Sequence, residues 1–364
     1  MGRKILVGIP PKNHIILAMD EVQGLENLGY SCDTIPYSRN QPKLNKLNKL
    51  LGVLSNAMGI IKRLYRANAD ILYLNSRFEP VATLRDFLTV LLIKLSYWKP
   101  LKIVIKTHGS SFDILTNESF LYDTVVIPFL TKYVDLWLFL SHQEKESIKN
   151  LNSALAEKVQ VTANIVVKER SIASENFKTL YNIPNNKFNF FFAGRMVAAK
   201  GIFSIIRSIP NFKYKDQCTF VFTGDGEDYT AFKQEIKELQ LEENVVLTGF
   251  IPDKECDHFY ANMDALVFPT YFDEGFPMAL FKSVANGLPI ITTKTRAAID
   301  HLTEPENCLW VDGTSPDSVR GALARIFEDE NLRFKMSENN TALGTNFSIE
   351  MVTSQMSQQL GLLF

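Results

Sequence analysis

Asp273 and Glu274 stand just ahead of Pro277 in the stretch DALVFPTYFDEGFPMALFKSVANGLP, residues 264–289. Acids placed there have two chemical uses. They can favour the positive end of a helix dipole, or their oxygens can accept hydrogen bonds from the hydroxyls of a ligand. Ala265 to Phe268 has the length and apolarity of a strand, and Thr270 to Gly275 reads as the loop after it. Pro277 suits the first residue of a helix, since its missing N–H would find no intrahelical partner there. Met278, Leu280, Phe281 and Val284 give that helix an apolar face, and Gly287 with Pro289 ends it. Backbone amides around Gly275, Phe276, Met278 and Ala279 therefore sit where an anion is welcome. The stretch suits a ligand that is anionic at one end and hydroxylated at the other; a nucleotide-sugar is such a molecule.

Other chemistry-bearing residues lie at the ends of apolar runs. Arg195 and Lys200 follow a predicted strand and precede a predicted helix, so both cations can sit at the strand end or simply face solvent. Gly224 and Gly226 follow another strand, where small residues allow a tight turn or a close approach to a ligand. Asp225, Glu227 and Asp228 resemble paired acids that hold a metal; we read no metal site, because Arg195 and Lys200 already supply positive charge. Phe250 and Ile251, after Gly249, read equally as core residues and as the flank of a ligand. His108 closes the strand Lys102 to Thr107 and begins HGSS, either as a structural histidine or as a partner for a hydroxyl.

The elements that position these residues alternate along all 364 residues, a length sufficient for two domains. Strands are predicted at Lys4–Ile9, Tyr30–Ile35, Asp70–Asn75, Lys102–Thr107, Asp135–Ser141 and Lys158–Ala163. A second run covers Phe188–Ala193, Cys218–Thr223, Asn244–Thr248, Ala265–Phe268, Pro289–Thr292 and Cys308–Val311. Short apolar strands separated by amphipathic helices predict an α/β fold of two doubly wound parallel sheets. The expected domains are 1–168, completed by a C-terminal helix at 347–364 that Ser348 caps, and 187–346, with 169–186 as linker. They would face each other across a cleft with ligands at the carboxyl ends of the strands.

Composition excludes several classes. Hydrophobic residues at 46% and charged residues at 22% fit a soluble globular chain rather than a disordered one. Residues 1–180 carry about +7 and the remainder about −8, a balance that argues against nucleic-acid binding. Cys32, Cys218, Cys256 and Cys308 show no metal or dithiol spacing and read as reduced thiols of a cytoplasmic protein. Ile5 to Ile9 is too short for a signal peptide, and Phe87 to Trp98 is interrupted by Lys94.

FFAGRMVAAKG around residue 192, FTGDGEDY, NVVLTGFIPDKE and DEGFPMALFKSVANGLPI resemble, in order and spacing, the C-terminal domain of retaining family-four glycosyltransferases of GT-B fold. The resemblance covers residues 187–312 well and extends to the first half through KTHGSSFD and LSHQEKES. It implies that Arg195 and Lys200 bind a donor diphosphate, that Glu274 and His108 hold hydroxyls of the transferred sugar or the acceptor, and that Phe250 and Ile251 flank a nucleobase. Gly275, Phe276, Met278 and Ala279 would meet the donor at the helix start. No cofactor is implied beyond the nucleotide-diphosphate sugar itself.

Two positions depart from the family. Lys282 stands where members carry a second glutamate for ribose hydroxyls; an ammonium cannot accept hydrogen bonds. It could reach a phosphate, pair with Glu274, or weaken the grip on the donor. The first loop, Gly8 to Asn13, lacks paired glycines and contains Pro10 and Pro11, leaving Lys12 to compensate.

Pro42 to Arg66 places Leu44, Leu47, Leu51, Leu54, Met58, Ile61 and Tyr65 at helical steps among Lys43, Lys46, Lys49, Lys62, Arg63 and Arg66, with no acid. It reads as a sheet-covering helix or as an interfacial helix resting on anionic lipid, at the inner face of the plasma membrane. Vesicle flotation separates the two, since recovery that ignores anionic lipid ends the second reading. The expected function is transfer of a sugar to a hydroxyl of a glycan or lipid-linked acceptor, without metal. The alternatives are a catalytically weak GT-B partner subunit and a nucleotide-sugar epimerase of the same fold.

Overall fold

The structure is a computed structural model that describes residues 2–10, 14–37, 46–116, 119–168 and 175–364. The chain divides into two compact units, Met1–Ile165 with Ile349–Phe364, and Val166–Ser348. Lys12, Lys43, Leu44 and residues 169–174 of the expected linker lie outside the described residues.

The first unit holds β1 (Lys4–Ile9), β2 (Ser31–Pro36), β3 (Ile71–Phe78), β4 (Lys102–Ser110), β5 (Leu136–Phe139) and β6 (Val159–Val161). They form one parallel sheet in the order β2-β1-β3-β4-β5-β6. The chain leaves β1 toward one side and β3 toward the other, which opens a crevice at their carboxyl ends. Helices α1 (Ile15–Asn27), α2 (Lys46–Ala67) and α3 (Pro80–Ser96) follow the first three strands. Leu72, Leu74, Ile103, Ile105, Trp137 and Phe139 are buried, as strands covered on both faces require. The last helix, Ile349–Gly361, packs on α1 where Gly24 leaves room for Thr353, and Tyr30 Oη lies 3.0 Å from Ser357 Oγ.

The second unit repeats the plan with β7 (Phe188–Ala193), β8 (Cys218–Thr223), β9 (Val245–Gly249), β10 (Ala265–Phe268), β11 (Ile290–Thr292) and β12 (Leu309–Trp310). Its order is β12-β11-β10-β7-β8-β9, again parallel. Phenylalanines order its centre. Phe190 and Phe192 of β7 pair in register with Phe220 and Phe222 of β8, and Phe192 also stacks on Phe268 of β10, ring centroids 5.7 Å apart. Rings on adjacent parallel strands add offset contacts to the area they bury.

All twelve expected strands are present, with boundaries that shift by a few residues. The larger extensions are β3 and β4, which continue past a register shift to pair Phe78 with Ser110. His108 therefore lies inside β4 rather than after it. Residues 175–186, expected as linker, begin with the helix Glu175–Leu180, which docks on the second unit as Phe177 meets Phe259 edge to face at 4.7 Å.

The sheet-covering reading of α2 is the one its buried side matches. Ala57, Ile60, Ile61 and Leu64 are buried against the sheet, so the helix does cover it. Leu51 and Met58 of the predicted apolar row remain more than half exposed, and Tyr65 is 40% exposed. Among the described residues, no helix is long and apolar enough to cross a membrane.

Candidate functional site

In the second unit the strand order reverses between β7 and β10, which run parallel, and the loops after these two strands meet there. Arg195 follows β7 by two residues and is exposed. Lys200 ends a short 3-10 turn, Ala198–Lys200, and is 7% exposed. The turn is closed by Gly201 at φ 77°, where a side chain would strike the carbonyl of Pro269. Only glycine fits this position. Tyr271 N donates to Ala199 O at 2.9 Å, so the two loops are tied by backbone as well.

Lys200 Nζ forms an ion pair with Glu274 Oε1. Phe272 sits beside both cations, its ring centroid 5.2 Å from Lys200 Nζ and 5.3 Å from Arg195 Cζ, a distance that allows a favourable cation–π term. Burial pulls the Lys200 ammonium below the ordinary lysine value, Glu274 opposes that pull, and Arg195 adds to it. The structure thus brings Arg195, Lys200 and Glu274 to one place around a ring that motif reading did not single out.

The helix after this loop runs Met278–Ala285, with Pro277 as its N-cap rather than its first residue. The amides of its first turn have no intrahelical acceptor. Gly275 is buried, and its carbonyl accepts from Ala297 N at 3.3 Å. Met278 and Ala279 are half-buried on the first turn. Phe276 differs from the expectation. Its ring stacks on Phe281 at 3.8 Å and meets Phe347 edge to face, so it belongs to the core and can offer a ligand only its backbone. Asp273 does more than favour the dipole; it pairs with Arg296, which is 6% exposed.

Lys282 lies one helix turn further on and pairs with Asp257 Oδ1 at 2.7 Å, neither with Glu274 nor free toward solvent. The position that departs from the family is therefore neutralised by an acid on the neighbouring helix Asp253–Asn262. Phe250 is 73% exposed, which removes the core reading, and Ile251 is half-buried. Gly224 and Gly226 pack against Gly194 and Met196, where any side chain would collide with backbone, and Asp228 Oδ2 accepts from Ala198 N at 2.7 Å. Their first duty is to let the loops after β7 and β8 interlock. Asp225 Oδ1 accepts from Gly226 N. Among the described residues no three His, Cys, Asp or Glu side chains gather to hold a metal ion.

The first unit carries a second polar cluster at the carboxyl ends of β1, β3 and β4. Asn75 Nδ2 donates to Gly8 O, so its Oδ1 accepts, and His108 Nε2 at 2.7 Å must carry the proton. The expected donation from His108 to a sugar hydroxyl is thus already spent. What remains is Nδ1, an acceptor shielded from solvent and without a hydrogen-bond partner among the described residues. His14, at the N-cap of α1, stacks on His108 with centroids 5.0 Å apart, and its Nδ1 is likewise shielded and unpartnered.

Burial holds both imidazoles below the usual histidine value of 6.5, His108 well below it, and the nearby Lys106 and Arg77 add to the effect. A lowered folded value means the unfolded chain binds more protons. The stability contributed by the neutral rings is therefore complete above 6.5 and is lost as pH falls below it through the depressed values. Thermal unfolding of the first unit should show this slope, and His14→Gln with His108→Gln should flatten it. An unchanged slope in the double variant would assign the acid sensitivity elsewhere.

Deeper on the same face lies a network that motif reading missed. Lys106 Nζ pairs with Glu21 and donates to Ala163 O at 3.1 Å, while Tyr73 Oη donates to Glu21 Oε2 at 2.9 Å. Lys106 and Glu21 are 0% and 1% exposed. Ser141 and Glu144 form a reciprocal cap, Glu144 N donating to Ser141 Oγ at 3.2 Å, and Ser110 Oγ donates to Glu144 Oε1 at 2.5 Å. The spacing Ser-x-x-Glu is that of a capping box at the start of the helix His142–Leu151.

Residues 173–342 match the family described as glycosyl transferases group 1, which bears out the resemblance read from the motifs. An uncharacterized glycosyltransferase of Methanocaldococcus jannaschii is 23% identical over 158 residues, covering 43% of this chain and 40% of the relative. A capsular polysaccharide biosynthesis glycosyltransferase of Staphylococcus aureus is 26% identical over 224 residues, covering 58% of each. The chain thus spans about two-fifths and three-fifths of these curated relatives, by the same 40% and 58%. In fold, the Anabaena protein HepE, solved with UDP and glucose, aligns over 99% of this chain and 100% of its own, with TM-score 0.74 and 17% identity. The two parallel six-stranded sheets are those of the GT-B fold.

Proposed function

We propose that this chain is a retaining, metal-independent glycosyltransferase that moves a sugar from a nucleotide-diphosphate sugar to a hydroxyl of a glycan or lipid-linked acceptor, in the assembly of cell-surface polysaccharide or glycoconjugate. The observation that carries the reading is the meeting of Arg195, Lys200 and Glu274 beside the start of the helix Met278–Ala285. The cations and amides answer a diphosphate, and the carboxylate answers hydroxyls. The exposed Phe250 offers an aromatic face for a base.

In the reaction so read, the bond between the sugar's anomeric carbon and the phosphate oxygen breaks, and its electron pair leaves with the diphosphate. Arg195, Lys200 and the helix start stabilise the charge that develops there. The acceptor oxygen attacks from the face the diphosphate vacates, and its proton passes to a phosphate oxygen. No strong protein base is required.

The test is incubation with uridine- and guanosine-diphosphate sugars and glycan acceptors, reading nucleoside diphosphate release and the anomeric configuration of the product. Retained configuration supports the reading, and an inverted product would reject it. One observation favours a partner subunit of reduced activity: Lys282, in place of an acid, is tied to Asp257. That alternative predicts that nucleoside diphosphates raise the melting temperature while no donor is turned over; an epimerase would instead convert donor with no acceptor present.

A further inference from the structure

Lys200 is 7% exposed and has aromatic rings at 5.3 Å (Phe268) and 5.2 Å (Phe272). A charge so placed needs an opposite charge, because aromatic faces alone replace little of its lost hydration. Glu274 provides it. The same carboxylate stands four residues ahead of the helix Met278–Ala285, whose positive end also favours an anion. Glu274 thus occupies the electrostatic position that a bound anion would take.

We infer that Glu274 is the resident counter-ion of the donor site, and that an incoming diphosphate displaces it from Lys200, which frees the carboxylate to accept hydrogen bonds from the sugar. This rests on the reading of the site as a diphosphate site and adds an order of events to it. The hydroxyl-binding carboxylate becomes available only after the diphosphate has taken Lys200. A free sugar cannot bring about that exchange, so recognition of the sugar is conditional on recognition of the diphosphate. Phe272, touching both Arg195 and Lys200, keeps the ammonium in place during the exchange.

The test uses the full chain and inorganic pyrophosphate, followed by titration calorimetry at neutral pH. Glu274→Gln and Glu274→Ala remove the competing carboxylate and should each bind pyrophosphate about threefold more tightly, or better, as for loss of one part-exposed ion pair. Glu274→Asp, which keeps the charge, should remain near the parent. The charged groups acting on Lys200 are Glu274 and Arg195. Without the carboxylate, the alkaline limit of pyrophosphate binding should move to lower pH, a change that a merely structural Glu274 would not cause. Equal or weaker binding by both Gln and Ala variants overturns the exchange while leaving the diphosphate site intact. Absence of pyrophosphate binding in the parent and in every variant overturns the diphosphate site itself, and the exchange with it.

Discussion

Lys200→Ala is expected to lower the rate of sugar transfer by about 10²- to 10³-fold, the range found when one preorganised charge-stabilising donor is removed. The expectation rests on where the ammonium is held. It is nearly buried, backed by Phe268 and Phe272, and paired with Glu274. The loss should appear mainly in the rate at saturating donor, because the charge it answers grows as the sugar–phosphate bond breaks. Stability should fall little. The Glu274 side chain is 21% exposed and keeps a route to water once its partner is gone. Transfer within a few-fold of the parent, in a variant that melts normally, would remove Lys200 from the chemistry.

The second large effect is on folding. Lys106→Ala should destabilise the first unit by about 3–5 kcal/mol, the cost of breaking a buried ion pair from one side. Glu21 would keep its hydrogen bond from Tyr73 but would face the core as an uncompensated carboxylate at 1% exposure. Replacing both partners with Met should recover part of the loss, because two apolar side chains of similar length carry no charge to solvate, while Tyr73 Oη and Ala163 O still lose a hydrogen bond each. Trp137, buried in this unit, reports the transition in urea. A loss under about 1 kcal/mol would mean that water reaches Glu21 in the variant.

How much of this was legible in the sequence depends on the distance over which a signal acts. Apolar runs such as Phe188–Ala193 and Cys218–Thr223 announce their strands because burial on both faces leaves no room for polar residues. Glycine before Pro289 and proline before Met278 mark the helix between them through backbone restrictions that need no partner. Arg195, Lys200 and Glu274 were reached through motif order, which carries positional information that no single residue holds. The pairs that complete the sites were not visible. Arg296 meets Asp273 across 23 residues, Lys282 meets Asp257 across 25, and Lys106 meets Glu21 across 85. Such contacts follow from the register of a folded sheet and leave no local trace. His108 is the instructive case. Its type and place suggested a hydrogen-bond donor, but the tautomer is set by Asn75, and that residue is oriented by the carbonyl of Gly8 on a third strand.

Gly224 and Gly226 lie so close to Gly194 and Met196 that neither loop can be redrawn alone. Met196 N donates to Asp225 O at 2.9 Å, and Asp228 N donates back to Met196 O at 3.0 Å. Mechanically, the segment bearing the guanidinium and the segment that follows β8 are one part. An engineer who wishes to retune this protein by grafting residues 224–228 from a homologue would have to import 194–198 from the same source, or inherit a mismatch at the very residue that begins the row of cations.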